Sequence, residues 1–208
     1  MNKQYMIYVC DTETTGLDAN LHDVVEASFL RFSIENPDKF EQFTWHIKAV
    51  NPETIQEKAL KVNGHKKEDI LHLTKEGKDK YLEPSEAIAQ IESWVMSDEL
   101  SINDRVLMAH NAAFDSEFLQ KLWEKAGAKD TYPFNRKFLI DTLQLTRLID
   151  ICTNTHRERY NLESLVKDFG VTKRNAHRAH DDVLMLRDVF VKQILPLKDA
   201  LKISFGSK

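Results

Sequence analysis

The stretch Tyr5-Met6-Ile7-Tyr8-Val9-Cys10-Asp11-Thr12-Glu13-Thr14-Thr15-Gly16 joins an apolar run to two carboxylates. The apolar run, residues 6–10, is bounded by polar residues, and this pattern predicts a buried β-strand. Asp11 and Glu13 are two residues apart, so on an extended chain their side chains point the same way. Carboxylates that share one space repel each other, and a divalent cation with oxygen ligands offsets their charge. The stretch therefore predicts either a metal site at a strand end or two solvated acids.

The composition is ordinary for a soluble globular protein. The chain has 208 residues, of which 42% are hydrophobic and 30% are charged, enough for one substantial core. We expect one domain over residues 1–208, with a core over 5–194 and a short tail over 195–208. Two cysteines give no disulfide framework, which favours a reducing, cytoplasmic location. No apolar run suits a signal peptide or a membrane span, so no membrane partner is expected.

The charge of the chain is unevenly distributed. A net charge of −4 argues against non-specific binding to polyanions. Residues 156–180 nevertheless carry six Lys or Arg against three acids. A basic segment beside acidic residues is compatible with a phosphate-bearing substrate, and a solvated helix face explains it equally well.

Strand and helix patterns along the chain predict an α/β fold. The turn residues 36–39 separate two strands of an antiparallel hairpin. The last strong helix is predicted over residues 183–194 and should end at Pro196. Early strands that then alternate with helices indicate a mixed sheet flanked by helices. The predicted strands share apolar or β-branched composition and cover residues 6–10, 24–34, 40–50, 105–109 and 138–140.

Two further acid-bearing segments lie where predicted elements begin. His110-Asn111-Ala112-Ala113-Phe114-Asp115 follows a short strand, and its acid falls where a helix starts. His177-Arg178-Ala179-His180-Asp181-Asp182 holds two imidazoles and two carboxylates just before the last helix. Each segment alone is explained by helix capping or by the helix dipole. Together with the first stretch, they place three acid clusters at element boundaries, where the active sites of open α/β sheets collect.

In this order and with these separations, the three segments resemble the motifs of the DnaQ-like 3′→5′ exonucleases. The resemblance is to the branch called DEDDh, after four acids and a histidine, and it extends over residues 5–193. It implies a ribonuclease H-like α/β fold with a five-stranded mixed sheet flanked by helices. Three antiparallel strands would come first, then two parallel to the first strand. A sister branch would need a tyrosine shortly before the last motif acid, and no tyrosine follows Asn161.

The resemblance also implies a role for each catalytic residue. Asp11, Glu13 and Asp182 would hold one of two Mg²⁺ or Mn²⁺ ions, and Asp11 would bridge to the other. Asp115 would support that second ion largely through water, and His177 would be the general base. Two ions about 4 Å apart serve both the attacking and the leaving oxygen of phosphodiester hydrolysis. His177 must be neutral to accept a proton from water.

Four residues are candidate contacts to the substrate. In enzymes of this kind Thr14 and Leu17 would line the pocket of the terminal nucleotide. Asn63 precedes Gly64 where many relatives have His-Gly, and the alternative role of this pair is to end a helix. Arg174 lies in the basic segment and is a candidate contact to phosphate.

The function implied by the resemblance is metal-dependent hydrolysis from a free 3′-hydroxyl end. Nucleoside 5′-monophosphates would be released from single-stranded or frayed nucleic acid. DNA is the expected substrate, in proofreading or repair, and a DNA polymerase is a candidate partner. Two alternatives stay open: an RNA-trimming exoribonuclease of the ribonuclease T type, and a non-catalytic nucleic-acid-binding module that accompanies a polymerase. Discrimination of RNA needs contacts to the 2′-hydroxyl, and no residue of the sequence identifies one.

Overall fold

The computed structural model describes residues 5–175 and 178–205. At its centre is a five-stranded sheet with strand order β3-β2-β1-β4-β5. Strand β2 is antiparallel to β1 and β3 to β2, whereas β4 is parallel to β1 and β5 to β4. This topology confirms the predicted α/β fold with a mixed sheet. The strands are β1 (Met6–Thr14), β2 (Val24–Ser33), β3 (Asn36–His46), β4 (Arg105–Ala109) and β5 (Leu139–Asp141).

Eight α-helices accompany the sheet in the described part of the chain. The first three are short, α1 (Glu57–Asn63), α2 (Lys67–Ile70) and α3 (Lys75–Lys80). The others are α4 (Pro84–Met96), α5 (Ala112–Lys125), α6 (Thr142–Thr153), α7 (Leu162–Asp168) and α8 (Ala179–Phe205). Among the described residues, no helix combines the length and the apolar character needed to cross a membrane.

The two faces of β1 are covered by different helices. Tyr8 and Cys10 belong to a core shared with α4 and α5, whereas Ile7 and Val9 belong to a core shared with α8. Alternation along a strand then directs odd-numbered residues towards α8 and even-numbered residues towards α4 and α5. An apolar stripe of the last helix is buried: Val183, Leu186, Val189 and Phe190. Burial of each such side chain contributes about 1.5–3 kcal/mol, which fixes α8 against the sheet.

The hairpin between β2 and β3 differs from the prediction. The turn predicted over residues 36–39 is wrong, because Asn36 already pairs with Ser33 and the turn lies at residues 34–35. Pro37 therefore lies within β3. Because β3 is at the edge of the sheet, the missing N–H of a proline need not interrupt a ladder there.

Helix α8 extends beyond the predicted range at both ends. It runs from Ala179 to Phe205, so the end predicted at Pro196 is wrong. Proline lacks the N–H of one i→i−4 hydrogen bond, and the 27-residue helix continues past this single gap. At the other end, the backbone N–H groups of Asp181 and Asp182 donate to the carbonyl of Arg178, at 2.8 and 2.9 Å. Both acids thus lie in the first turn of α8.

Candidate active site

Three of the four predicted acids meet at the carboxyl end of β1. Asp11 and Glu13 lie at odd positions of the strand, on the face that α8 covers, and Asp182 lies in the first turn of α8. One carboxylate oxygen of each residue lies within 4.8 Å of the others. Hard oxygen donors at this spacing suit a divalent cation such as Mg²⁺. The donor set therefore fits the metal that the sequence predicts.

The fourth acid, Asp115, reaches the same strand from its other side. Its Oδ1 accepts hydrogen bonds from the backbone N–H of Thr12, at 3.0 Å, and from the Thr12 hydroxyl, at 2.8 Å. The backbone N–H of Thr12 is available to Asp115 because β4, the parallel neighbour of β1, pairs with β1 only as far as Val9. Asp115 is 4% exposed and does not belong to the three-carboxylate cluster. Asp115 is thus anchored to the residue between Asp11 and Glu13, which is compatible with the predicted support of a second metal ion.

The start of α5 explains how Asp115 reaches that position. Asn111 caps the helix in the left-handed region, with φ of 67°, a conformation that asparagine tolerates better than most residues. Its backbone N–H donates to Oδ1 of Asp141 (3.1 Å), which also caps α6 by accepting from the Leu143 N–H. Nε2 of His110 lies 2.7 Å from the carbonyl oxygen of Tyr160. The ends of β4 and β5 are thereby joined to the segment before α7.

The carboxylate cluster is electrostatically crowded. Burial, and then the charges of Asp115 and Asp182, raise the pKa of Asp11 well above its ordinary value. Burial and the charge of Glu26 raise the pKa of Glu13 to about 8. Burial likewise raises the pKa of Asp115 to about 7, although its hydrogen bonds from Thr12 act in the opposite direction. The ionised cluster is costly without positive charge, as expected of a cation site.

A cluster that the sequence interpretation missed lies beside Glu13. Glu26 of β2 is directly across the ladder from Glu13, and His46 of β3 is directly across from Glu26. The Nε2 atoms of His46 and His65 each lie 3.2 Å from Oε2 of Glu26. Burial raises the pKa of Glu26, but the contacts with the two histidines outweigh burial and hold it below its ordinary value. The available signal in the sequence was a carboxylate placed between the apolar residues Val25 and Ala27 of a predicted strand.

The residues predicted to contact the terminal nucleotide surround the end of β1. The side-chain amide of Asn63 donates to the carbonyl of Thr14 (3.1 Å), and the Thr14 hydroxyl donates to the carbonyl of Gly16 (2.6 Å). Gly64 ends α1 as predicted, with φ of 73°. Leu17 is 79% exposed. Asn63 therefore supports the strand end, and a substrate contact by Thr14, Leu17 or Asn63 stays a prediction.

A cleft of about 200 Å³ opens beside the carboxylates. Asp11 and Asp182 line one part of it, and Lys173 and Arg174 line another. The backbone N–H of Arg174 lies 3.4 Å from the sulfur of Met185 on α8, which holds the basic segment against that helix. The cleft thus brings acids and cations together.

His177, the predicted general base, lies outside the described residues, so its role stays a prediction. Two neighbouring residues of its motif have other contacts. Nδ1 of His180 lies 2.9 Å from Nε2 of Gln42 on β3, and Asp181 accepts from the side-chain amide of Asn175 at 3.0 Å. Both contacts are outside the carboxylate cluster.

Comparison with known proteins identifies the family. Residues 8–190 match the family model RNase_T, described as exonuclease. The chain belongs to this exonuclease family. DNA polymerase III PolC-type from Staphylococcus haemolyticus is 28% identical over 95% of this chain and 12% of its own length. The same polymerase from Staphylococcus aureus is 28% identical over 92% of this chain and 11% of its length. The chain thus spans about a ninth of the length of these relatives.

Solved structures share the fold of this exonuclease. E. coli ExoI, in a zinc-bound complex with single-stranded DNA, has a TM-score of 0.76 and 18% identity over 95% of this chain and 42% of that one. Cell-death related nuclease 4 has a TM-score of 0.74 and 13% identity over 94% of this chain and 65% of that one. The predicted DnaQ-like family, ribonuclease H-like fold and exonuclease class are therefore confirmed.

Proposed function

We propose that this exonuclease removes nucleoside 5′-monophosphates from the free 3′ end of DNA with the help of divalent metal. The proposal depends on one observation above all, the meeting of Asp11, Glu13 and Asp182 within 4.8 Å. Asp115 is anchored to the same strand end through Thr12. An apolar or neutral strand end would be cheaper to fold than one that crowds carboxylates. A bound cation would offset the repulsion between these carboxylates.

Asp11, Glu13 and Asp182 would hold one Mg²⁺ or Mn²⁺ ion, and Asp115 would support a second. Such ions, when bound, stabilise negative charge on the attacking and leaving oxygens of an in-line displacement. The sequence motif assigns proton transfer to His177, which would take a proton from the attacking water. The water oxygen would bond to phosphorus, and the bond from phosphorus to the 3′ oxygen of the penultimate nucleotide would break. The leaving 3′ oxygen would take a proton from solvent, so the products are a nucleoside 5′-monophosphate and a new 3′-hydroxyl.

The surroundings of the cluster suit the end of an unpaired strand. Thr14 and exposed Leu17 follow the carboxylates directly along the chain, where the terminal nucleotide would lie. Arg174 lines the cleft together with Asp11 and Asp182, and it would meet a backbone phosphate there. A strand with a frayed or single-stranded 3′ end would fit this arrangement.

Similarity to named proteins favours DNA over RNA as the substrate. The matched relatives are DNA polymerases of the PolC type, and a matched structure is a complex with single-stranded DNA. These names support DNA as the nucleic acid and a DNA polymerase as a partner. A single domain over residues 1–208 and a cytoplasmic location are parts of the same proposal.

Digestion of matched 3′-labelled DNA and RNA oligonucleotides, single- and double-stranded, tests the proposal. With Mg²⁺ or Mn²⁺ present, we expect nucleoside 5′-monophosphates from single-stranded DNA and resistance of a circular strand. Faster digestion of RNA would favour the RNA-trimming alternative. Binding without hydrolysis would favour the non-catalytic module. Asp11→Asn should abolish the activity, and hydrolysis that is undiminished in excess chelator would contradict the metal-dependent mechanism.

A further inference from the structure

Glu26 occupies a position that a carboxylate would normally avoid. It is 5% exposed and lies directly across the β1–β2 ladder from Glu13. Residues directly opposite in an antiparallel pair have Cβ atoms about 4.5–5.5 Å apart on one sheet face, and like charges there are destabilising. Glu13, Glu26 and His46 consequently form one row across three strands.

Two imidazoles lie against the Glu26 carboxylate. The Nε2 atoms of His46 and His65 each lie 3.2 Å from Glu26 Oε2, and Nδ1 of His65 lies 2.7 Å from the hydroxyl of Tyr81. His65 is 7% exposed and comes from the segment between α1 and α2. The carboxylate is therefore contacted from two independent elements, a strand and a loop.

The same loop is tied to the end of β1. The backbone N–H of His65 donates to Oδ1 of Asn63 (3.2 Å), and the amide of Asn63 donates to the carbonyl of Thr14 (3.1 Å). The cluster thus contacts the metal-site strand at Thr14 and adjoins it at Glu13. Buried ion pairs are often no more stabilising than apolar side chains of similar volume, so fold stability alone does not account for this cluster.

We propose that Glu26, flanked by His46 and His65, is a positioning residue of the metal centre. From its place across the ladder, its carboxylate directs the side chain of Glu13 towards the cation and adds negative potential to the site. Glu26 touches no substrate and acts through Glu13. This inference rests on the proposed function, because it assumes that Asp11, Glu13 and Asp182 bind divalent metal.

The test measures Mn²⁺ binding by calorimetry, without substrate. Glu26→Gln keeps the shape of the side chain and removes its charge. Residues that act on a metal through its ligands change affinity by about 10–100-fold, and we expect the Kd for Mn²⁺ to rise about tenfold. The matched control is Asp98→Asn, which removes a buried carboxylate paired with Arg105, both side chains being 2% exposed. This pair contacts Tyr8 near the start of β1, so the control should lower the Tm and leave the Kd unchanged.

The outcomes separate the inference from the proposed function. An unchanged Kd in Glu26→Gln, with a lower Tm, would make Glu26 purely structural and overturn the inference. Failure of the wild-type protein to bind Mn²⁺ would contradict the proposed metal-dependent hydrolysis itself. If Glu26→Gln does not fold, His46→Gln loosens the carboxylate at a side chain that is 25% exposed. A Kd raised several-fold in that variant supports the inference, and an unchanged Kd overturns it.

Discussion

Thr12 donates both its backbone N–H and its hydroxyl to Oδ1 of Asp115, at 3.0 and 2.8 Å. Thr12 is the residue between Asp11 and Glu13, and alternation directs its side chain to the opposite face of β1. The strand end thus presents two carboxylates towards α8 and anchors a third, from α5, on its other side. One threonine connects the two halves of the candidate site.

Thr12→Val is expected to shift the pH dependence of hydrolysis. Burial raises the pKa of Asp115 to about 7, even though the hydrogen bonds from Thr12 lower it. Removal of the hydroxyl raises this pKa further, so a higher pH is needed to ionise Asp115. We expect the acid limb of the pH profile of kcat to move upwards, with kcat at pH 7 several-fold lower.

A buried threonine elsewhere provides the control for Thr12→Val. Thr146 of α6 is fully buried and accepts a hydrogen bond from Gln193. Thr146→Val also removes a buried hydroxyl, so it should lower the Tm about as much as Thr12→Val does. It should leave the pH profile of kcat unchanged. A profile that moved equally in both variants would show that the shift reflects general destabilisation.

The metal-free protein should become less stable as the pH rises from about 5 to about 8. The pKa of Glu13 is raised to about 8 and that of Asp115 to about 7, whereas in an unfolded chain both are near 4. Between these values the folded state binds more protons than the unfolded state, so the free energy of unfolding falls with rising pH. The pKa of Glu26 is lowered in the folded state, so Glu26 stabilises the fold at higher pH. This stabilisation is lost only as the pH falls below the unfolded pKa of Glu26, which lies below the range considered. Thermal unfolding in excess chelator at several pH values measures the slope, and a Tm that rose over this range would contradict the prediction.

Asp11→Asn should raise the Tm of the metal-free protein and reduce the gain that metal gives. The substitution removes one of the crowded charges, and a ligand that binds only the folded state stabilises it by mass action. For a chain of this size, 1 kcal/mol corresponds to roughly 2–4 °C in Tm. Thermal melts with chelator and with millimolar Mn²⁺ measure both effects. Asp79→Asn, at an exposed position of α3, makes the same charge change and should alter neither.

Asn63→Ala is expected to weaken substrate binding more than turnover. The Asn63 amide supports the Thr14 carbonyl from a position that is 3% exposed. Its loss leaves a buried partner unsatisfied, at a cost of about 1–3 kcal/mol, and loosens the segment that leads to Leu17. We expect the KM for a single-stranded oligonucleotide to rise several-fold with a smaller change in kcat. Thr74→Ala, which removes the cap of α3, should lower the Tm without raising the KM.

The parts of the site that were predicted from sequence depend on local rules. Alternation along β1 places Asp11 and Glu13 on one face whatever the fold, and the apolar stripe of α8 orients Asp182 towards the sheet. The Glu26 cluster was not predictable in this way, because His46 and His65 approach Glu26 only through strand pairing and a loop. The helix end predicted at Pro196 was wrong because proline removes only one backbone hydrogen bond, and this local loss does not end the 27-residue α8.

The last prediction concerns the register of the motif at residues 177–182. His177→Ala should lower kcat by about 100-fold or more, the usual scale for a general base, and Asp182→Asn should abolish metal-dependent activity. His180→Ala and Asp181→Asn should stay within a few-fold of the wild type, because these side chains contact Gln42 and Asn175 instead of the carboxylate cluster. Single-turnover hydrolysis of a 3′-labelled strand, with folding checked by circular dichroism, measures all four variants. Inactive His180 and Asp181 variants beside active His177 and Asp182 variants would mean that the functional residues of the motif are assigned in the wrong register.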